Sequence, residues 1–172
     1  MTALRRTGLA ARLAGPVAIV TLLALLDQAI KALMVASLPP RVPVPVVPPL
    51  YWFLTENTGI AFSWLDFLGP WSLVVVALAV LAFVCFLWAR TSADHRLAWW
   101  GFALVAGGAV GNLIDRVMLG HVTDYVLLSA GGWSFAVFNL ADALITVGAI
   151  AVLADELLGW GHPKEGAGRD AR

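Results

Sequence analysis

Three features of the sequence predict an all-α membrane protein built from four transmembrane helices. Hydrophobic residues make up 60% of the chain and charged residues 13%, where an ordinary soluble domain carries roughly a quarter charged. The apolar residues gather in four runs, Pro16–Leu38, Pro70–Ala89, Leu97–Leu119 and Ala136–Leu158, each near the length of about 20 residues that crosses a bilayer. Basic residues fall on alternate sides of these runs. Arg5, Arg6 and Arg12 precede the first, Arg90 and Arg96 separate the second from the third, and Lys164, Arg169 and Arg172 follow the fourth. With an even number of spans these segments share one side, and the positive-inside rule makes that side cytoplasmic, with both termini there. The expected organisation is one membrane domain over residues 1–160, with outer loops 39–69 and 120–135, and a cytoplasmic tail over residues 161–172.

The first run has the basic start and apolar centre of a secretory signal. Asp27 and Lys31 interrupt that centre, and the run is too long for a signal core, so it reads as a retained helix. The first outer loop begins with "PPRVPVPVVPPL", which proline bars from helix and which reads as extended or polyproline-like chain. "LYWFLTENTGIAFSW" follows, with strand-favouring aromatics around an Asn-Thr-Gly turn signal, and reads as a short strand or hairpin at the membrane surface. Trp52, Trp64 and Trp71 suit an interfacial belt. The single cysteine, Cys85, reads as a buried, inert thiol. The second outer loop, "GHVTDYVLLSAGGWSF", has a Gly-Gly turn between strand formers and reads as a small hairpin.

Polar residues in apolar runs carry the functional information, because charge in hydrocarbon is costly. Asp27 and Lys31 lie four apart on one helix face, where they can neutralise each other and lock packing. Gly107, Gly108 and Gly111 permit close helix approach. Asn112, Asp115 and Arg116 lie at spacings of three and four, with Asn112 and Arg116 expected to pair. Asn139 and Asp142 sit one turn apart near the start of the fourth run. At a rise of about 1.5 Å per residue, Asn112 lies about 24 Å beyond Arg96, and Asp142 about 9 Å inside the outer face. With Asp124, Asn57 and Glu56 on the outer loops, the polar groups converge at the outer leaflet. A transporter or channel would spread them through the full depth, and a scaffold protein would use them only to lock its bundle.

The chemistry narrows by elimination. Neutral net charge suggests no nucleic-acid partner. "H-E-x-x-H" is absent, Cys85 and His121 fall at opposite sides, and no serine stands in an activating context beside Lys31. Two carboxylates remain, and a pair sharing a proton can hydrolyse a peptide bond, one activating water and the other protonating the leaving group. Asp115 and Asp124 are rival partners for Asp142 on the residues alone.

The blocks "LDQAIKALM" (Leu26–Met34), "ENTGIAFSW" (Glu56–Trp64), "GGAVGNLIDRVMLGHVTDYV" (Gly107–Val126) and "FNLADALITVG" (Phe138–Gly148) resemble, in order, those of the lipoprotein signal peptidases, the type II signal peptidases. The resemblance implies a bacterial inner-membrane aspartyl protease with a small extracytoplasmic β-sheet cradle. Its substrates would be diacylglyceryl-modified prolipoproteins, cut just before the lipidated cysteine. It implies no metal or cofactor, contact with membrane lipid, and inhibition by the cyclic peptide globomycin. A monomer is expected. The family's catalytic aspartates match Asp124 and Asp142, and its site-supporting positions match Asp27, Lys31, Asn57, Gly59, Asn112, Asp115, Arg116, Asn139 and Ala141. One departure is "VTDY" around Asp124, where members often show "VVDF".

Overall fold

A computed structural model describes residues 2–59, 71–92 and 94–159, with side chains from Leu13 onward. Trp64, the later part of the Glu56–Trp64 block and the basic tail residues Lys164, Arg169 and Arg172 lie outside the described residues, as do the side chains of Arg5, Arg6 and Arg12. The elements run α1 (Thr2–Ser37), β1 (Val44–Val47), β2 (Leu50–Asn57), α2 (Ser72–Arg90), α3 (Arg96–Leu119), β3 (Val122–Ala130), β4 (Trp133–Ser134) and α4 (Leu140–Leu158).

Leu13–Ser37 of α1, α2 and α3 are long and apolar enough to cross a membrane. In α4, Asp142 stands in the first turn and Asp155 and Glu156 in the last, leaving an apolar stretch between them. Two boundaries differ from expectation. α1 begins at Thr2, well before Pro16, which sits inside the helix; the preceding turns are rich in Ala, Leu and Arg, all strong helix formers. α4 begins at Leu140 instead of Ala136 because Asn139 caps it, accepting the Asp142 N–H through its side chain.

α3 is central, packing against α1, α2 and α4. Its glycines allow this. A Cβ on Gly108 would strike the Ala141 carbonyl of α4, and one on Gly111 would come within 2.6 Å of Asp27 Oδ2 on α1. Small residues bring helices together where no hydrophobic force separates protein from lipid. The interior combines small apolar residues such as Ala103, Ala106 and Ala141 with polar ones. Asp27, Asp115, Asp124, Asn139 and Asp155 are fully buried, while Leu22, Leu25, Leu33, Val75, Phe83 and Phe86 face outward. Cys85 also faces outward on α2, contrary to the burial expected of it, because α2 is apolar all round and turns most of its surface away from protein.

At one end of the helices the strands form a four-stranded antiparallel sheet in the order β1-β2-β3-β4. The Gly-Gly hairpin forms as expected, with Ala130 paired to Trp133 and both glycines at positive φ. The proline-rich segment is more ordered than its composition suggests. Val44–Val47 is a strand paired with β2, placing Val44 opposite Trp52, and its edge position tolerates proline, whose missing N–H then costs no ladder bond. β2 pairs with β3, setting Thr55 opposite Asp124 and Asn57 opposite Val122.

Candidate active site

Two buried groups of carboxylates meet where α1, α3, β3 and the start of α4 converge. The first centres on Lys31. Its ammonium lies 2.8 Å from Asp27 and 2.9 Å from Asp115, and donates to Asn112 Oδ1 at 3.0 Å. Gln28 adds donors to Asp115 at 2.8 Å and to the Gly111 carbonyl at 3.1 Å. The remaining capacity of both carboxylates is spent on backbone. Asp115 accepts the Thr123 N–H at 3.0 Å, and Asp27 accepts the Ala141 N–H at 3.0 Å. Charges this deep persist only when paired and hydrogen-bonded, so this group welds α1, α3, β3 and α4 together.

The second group holds Asp124 and Asp142. Asp142 is the third residue of α4, in a reciprocal capping box: Asn139 Oδ1 accepts the Asp142 N–H at 3.0 Å, and Asp142 Oδ2 accepts the Asn139 N–H at 3.2 Å. A carboxylate in the first turn is favoured by the helix dipole. Asn139 also donates its side-chain amide to Asp124 Oδ1 at 2.7 Å, so one residue touches both carboxylates. Asn57 donates to Asp124 Oδ2 at 3.0 Å, and Asn112 donates to Asp142 Oδ1 at 2.8 Å. Among the described residues, no lysine or arginine ion-pairs with Asp124 or Asp142. Burial pushes the Asp124 carboxyl up from 3.8 to about 6; the Asn57 amide opposes this, the Asp142 charge adds to it, and the Asn139 amide and Lys31 charge oppose it. Each of the four carboxylate oxygens accepts one of these bonds and keeps a lone pair for a water proton.

All the site residues named from the sequence except Arg116 and Gly59 join these two groups directly. Gly59, at φ 80°, donates its N–H to Asn57 Oδ1 at 2.9 Å and so holds the Asn57 side chain, whose amide faces Asp124. Arg116 is half-buried and reaches the Asn112 backbone carbonyl at 3.4 Å. The expected side-chain pairing of Asn112 with Arg116 does not form, because the Asn112 side chain is held by Lys31, Asn139 and Asp142. Asp115 likewise takes Lys31 as its cation, not the neighbouring Arg116, since residues adjacent on a helix do not face each other. Glu56 is exposed. Sequence reasoning missed Gln28, a polar residue in an apolar run that could have been flagged on that ground. It also missed the Thr123 N–H and Tyr125, for which spacing gives no signal.

The family model described as "Signal peptidase (SPase) II" matches residues 19–158. The chain belongs to the signal peptidase II family. This is a family of aspartic peptidases, which fits a site whose titratable groups are carboxylates held by amides. Proteins called lipoprotein signal peptidase are 54% identical in Allorhizobium ampelinum, over 79% of this chain and 83% of that protein, and 52% identical in Sinorhizobium fredii, over 83% and 87%. That of Brucella ovis is 50% identical over 83% of this chain and 89% of its own length. The fold is similar to that of a bacterial membrane enzyme solved by the in meso method at 1.9 Å resolution, with a TM-score of 0.73, 24% identity, and coverage of 84% of this chain and 93% of that one. Membership of the signal peptidase II family, together with several apolar helices, makes this a multi-pass membrane protein.

Proposed function

We propose that the protein is an intramembrane endopeptidase that removes signal peptides from diacylglyceryl-modified prolipoproteins, cutting just before the lipidated cysteine. Asp124 and Asp142 form its catalytic dyad. The observation that carries this reading is the sharing of Asn139 between the two carboxylates, with amide donors and, among the described residues, no lysine or arginine ion-paired with either. A water between the carboxylates loses a proton to one and attacks the scissile carbonyl; the other carboxyl protonates the departing nitrogen. The protons belong to the pair, and so do its apparent pKa values. Asn57, Asn112 and Asn139 hold the carboxylates in register, and the Lys31 group keeps α3, β3 and α4 from sliding apart. Arg116 and the sheet lie beside the site, where they can hold the substrate backbone.

The topology belongs to the same proposal. Four helices span a bacterial inner membrane, α4 among them, since its acidic residues sit in its end turns. The sheet adjoins the ends of α1 and α3 and the start of α4, while Arg90 and Arg96 mark the opposite end. By the positive-inside rule the sheet is extracytoplasmic, both termini are cytoplasmic, and the carboxylates lie near the outer leaflet. There the diacylglyceryl chains of the substrate stay in lipid while its signal helix packs against the bundle. The enzyme acts as a monomer, and a globomycin-type cyclic peptide would occupy the same site.

The test is turnover of a purified lipidated precursor by Asp124→Asn and Asp142→Asn variants that still fold. Each is expected to lose about a thousandfold or more, the scale of removing a positioned acid or base from a coupled pair. Full turnover by Asp124→Asn would sink the dyad assignment.

A further inference from the structure

Asp142 is fixed in space by whatever fixes the first turn of α4. A helix leaves its first N–H groups without intrahelical partners, and here each of the first three has its own acceptor from a different part of the molecule. The Asp142 N–H goes to its own cap Asn139 at 3.0 Å, and the Ala141 N–H goes to Asp27 of α1 at 3.0 Å. The Leu140 N–H goes to the phenol oxygen of Tyr125 at 3.1 Å. Tyr125 follows Asp124 in β3, is 3% exposed, and packs against Trp52 at a centroid distance of 6.2 Å. Its own N–H bonds the Phe138 carbonyl at 3.1 Å, so the residue grips the chain on both sides of Asn139.

We propose that the Tyr125 hydroxyl is a positioning group for the dyad. It sets the height of the α4 start against β3, and through it the approach of Asp142 to Asp124. The inference rests on the dyad reading above. The ring alone would preserve the packing against Trp52 but would leave the Leu140 N–H without an acceptor and free that turn to shift. A shift there changes the alignment of two carboxylates that must act on one water, which lowers kcat and leaves substrate binding largely intact. The phenol itself holds its proton, since burial pushes it up to about 12.

The experiment is a cycle of Tyr125→Phe and Leu140→Pro in the full-length protein, read by kcat, KM and the pH dependence of kcat on a lipidated precursor. Proline suits the first helical position, and Asn139 before it already has the extended backbone that proline demands (φ −131°, ψ −177°). Leu140→Pro therefore removes the N–H without orphaning it. Tyr125→Phe is expected to lower kcat roughly fivefold, change KM less than about twofold, and move the limb of the pH profile set by the dyad. In the Leu140→Pro background it should have no further effect, because its partner is already gone. An unchanged kcat and pH profile in Tyr125→Phe overturns the proposal, and so does an undiminished loss in the proline background, which would put the hydroxyl to work elsewhere. If Tyr125→Phe does not fold, Leu140→Pro alone decides: a lower kcat with a moved limb supports the bond's role, and unchanged kinetics overturn it. Retained turnover in Asp124→Asn and Asp142→Asn would instead strike at the dyad reading, whatever Tyr125 does.

Discussion

Two pairs of aspartates lie side by side in this molecule, and they are treated in opposite ways. Asp27 and Asp115 share a buried lysine at 2.8 and 2.9 Å. Among the described residues, Asp124 and Asp142 are held by amides, chiefly that of Asn139. The first arrangement cancels charge and closes both carboxylates to anything new, since their oxygens are filled by Lys31, Gln28 and the N–H groups of Thr123 and Ala141. The second leaves charge uncancelled and oxygens open, which costs stability, and burial raises the Asp124 carboxyl to about 6. Lys31 bonds Asn112, and Asn112 bonds Asp142, so the ion-paired group also steers the amide-held one. What separates the two pairs is the location of the buried Lys31 ammonium, not depth.

The most severe way to break this contrast is Lys31→Met. It strands two buried carboxylates and should destabilise the fold by about 3–5 kcal/mol, the usual cost of removing one partner from a buried ion pair. Thermal unfolding in detergent reads it, and a melting temperature within about 2 °C of the parent would show that the Lys31 group carries no structural burden.

A smaller effect of opposite sign is expected from Asp124→Asn on stability. Folding raises the Asp124 pKa from 3.8 to about 6, so the folded state binds more protons than the unfolded state between those values. Stability from this group is therefore present at low pH and lost as pH rises through about 6. The variant should gain on the parent as pH rises, reaching an advantage of about 2–4 °C in melting temperature above the window, a figure already discounted for solvent screening. A constant difference from pH 4 to pH 8 would contradict the desolvation account.

The finest change is Asn57→Ala. Asn57 donates to Asp124 and is the largest influence holding its pKa down, so its loss should raise the midpoint of the dyad-controlled limb above about 6 while the fold persists, because Asn57 is exposed at the end of β2. A titration of kcat against pH that showed the limb unmoved or lowered would remove Asn57 from the electrostatics of the site.

Much of this was legible in the residues. Apolar runs announce α1 to α4, since lipid demands length and hydrophobicity from each segment separately. The Gly131-Gly132 turn announces the β3–β4 hairpin, since positive φ at both positions is a local demand. The polar residues Asp27, Lys31, Asn112, Asp115, Asn139 and Asp142 stand out because an apolar background makes them expensive. The rest depended on partners distant in the chain. The VPVV strand exists because β2 offers it an edge. The start of α4 lies at Leu140 because Asn139 and Asp142 close a box there. Asp115 pairs with Lys31 across the helix interface, a choice that nothing near Asp115 in the chain dictates. The sequence by itself thus determined the membrane class, the helices and the set of polar residues, because those follow from local composition and period. Only the tertiary structure decided that Asp115 joined Asp27 on the lysine and that Asp124 and Asp142 were left with amides, because a cation can serve only the groups that packing brings within reach of it.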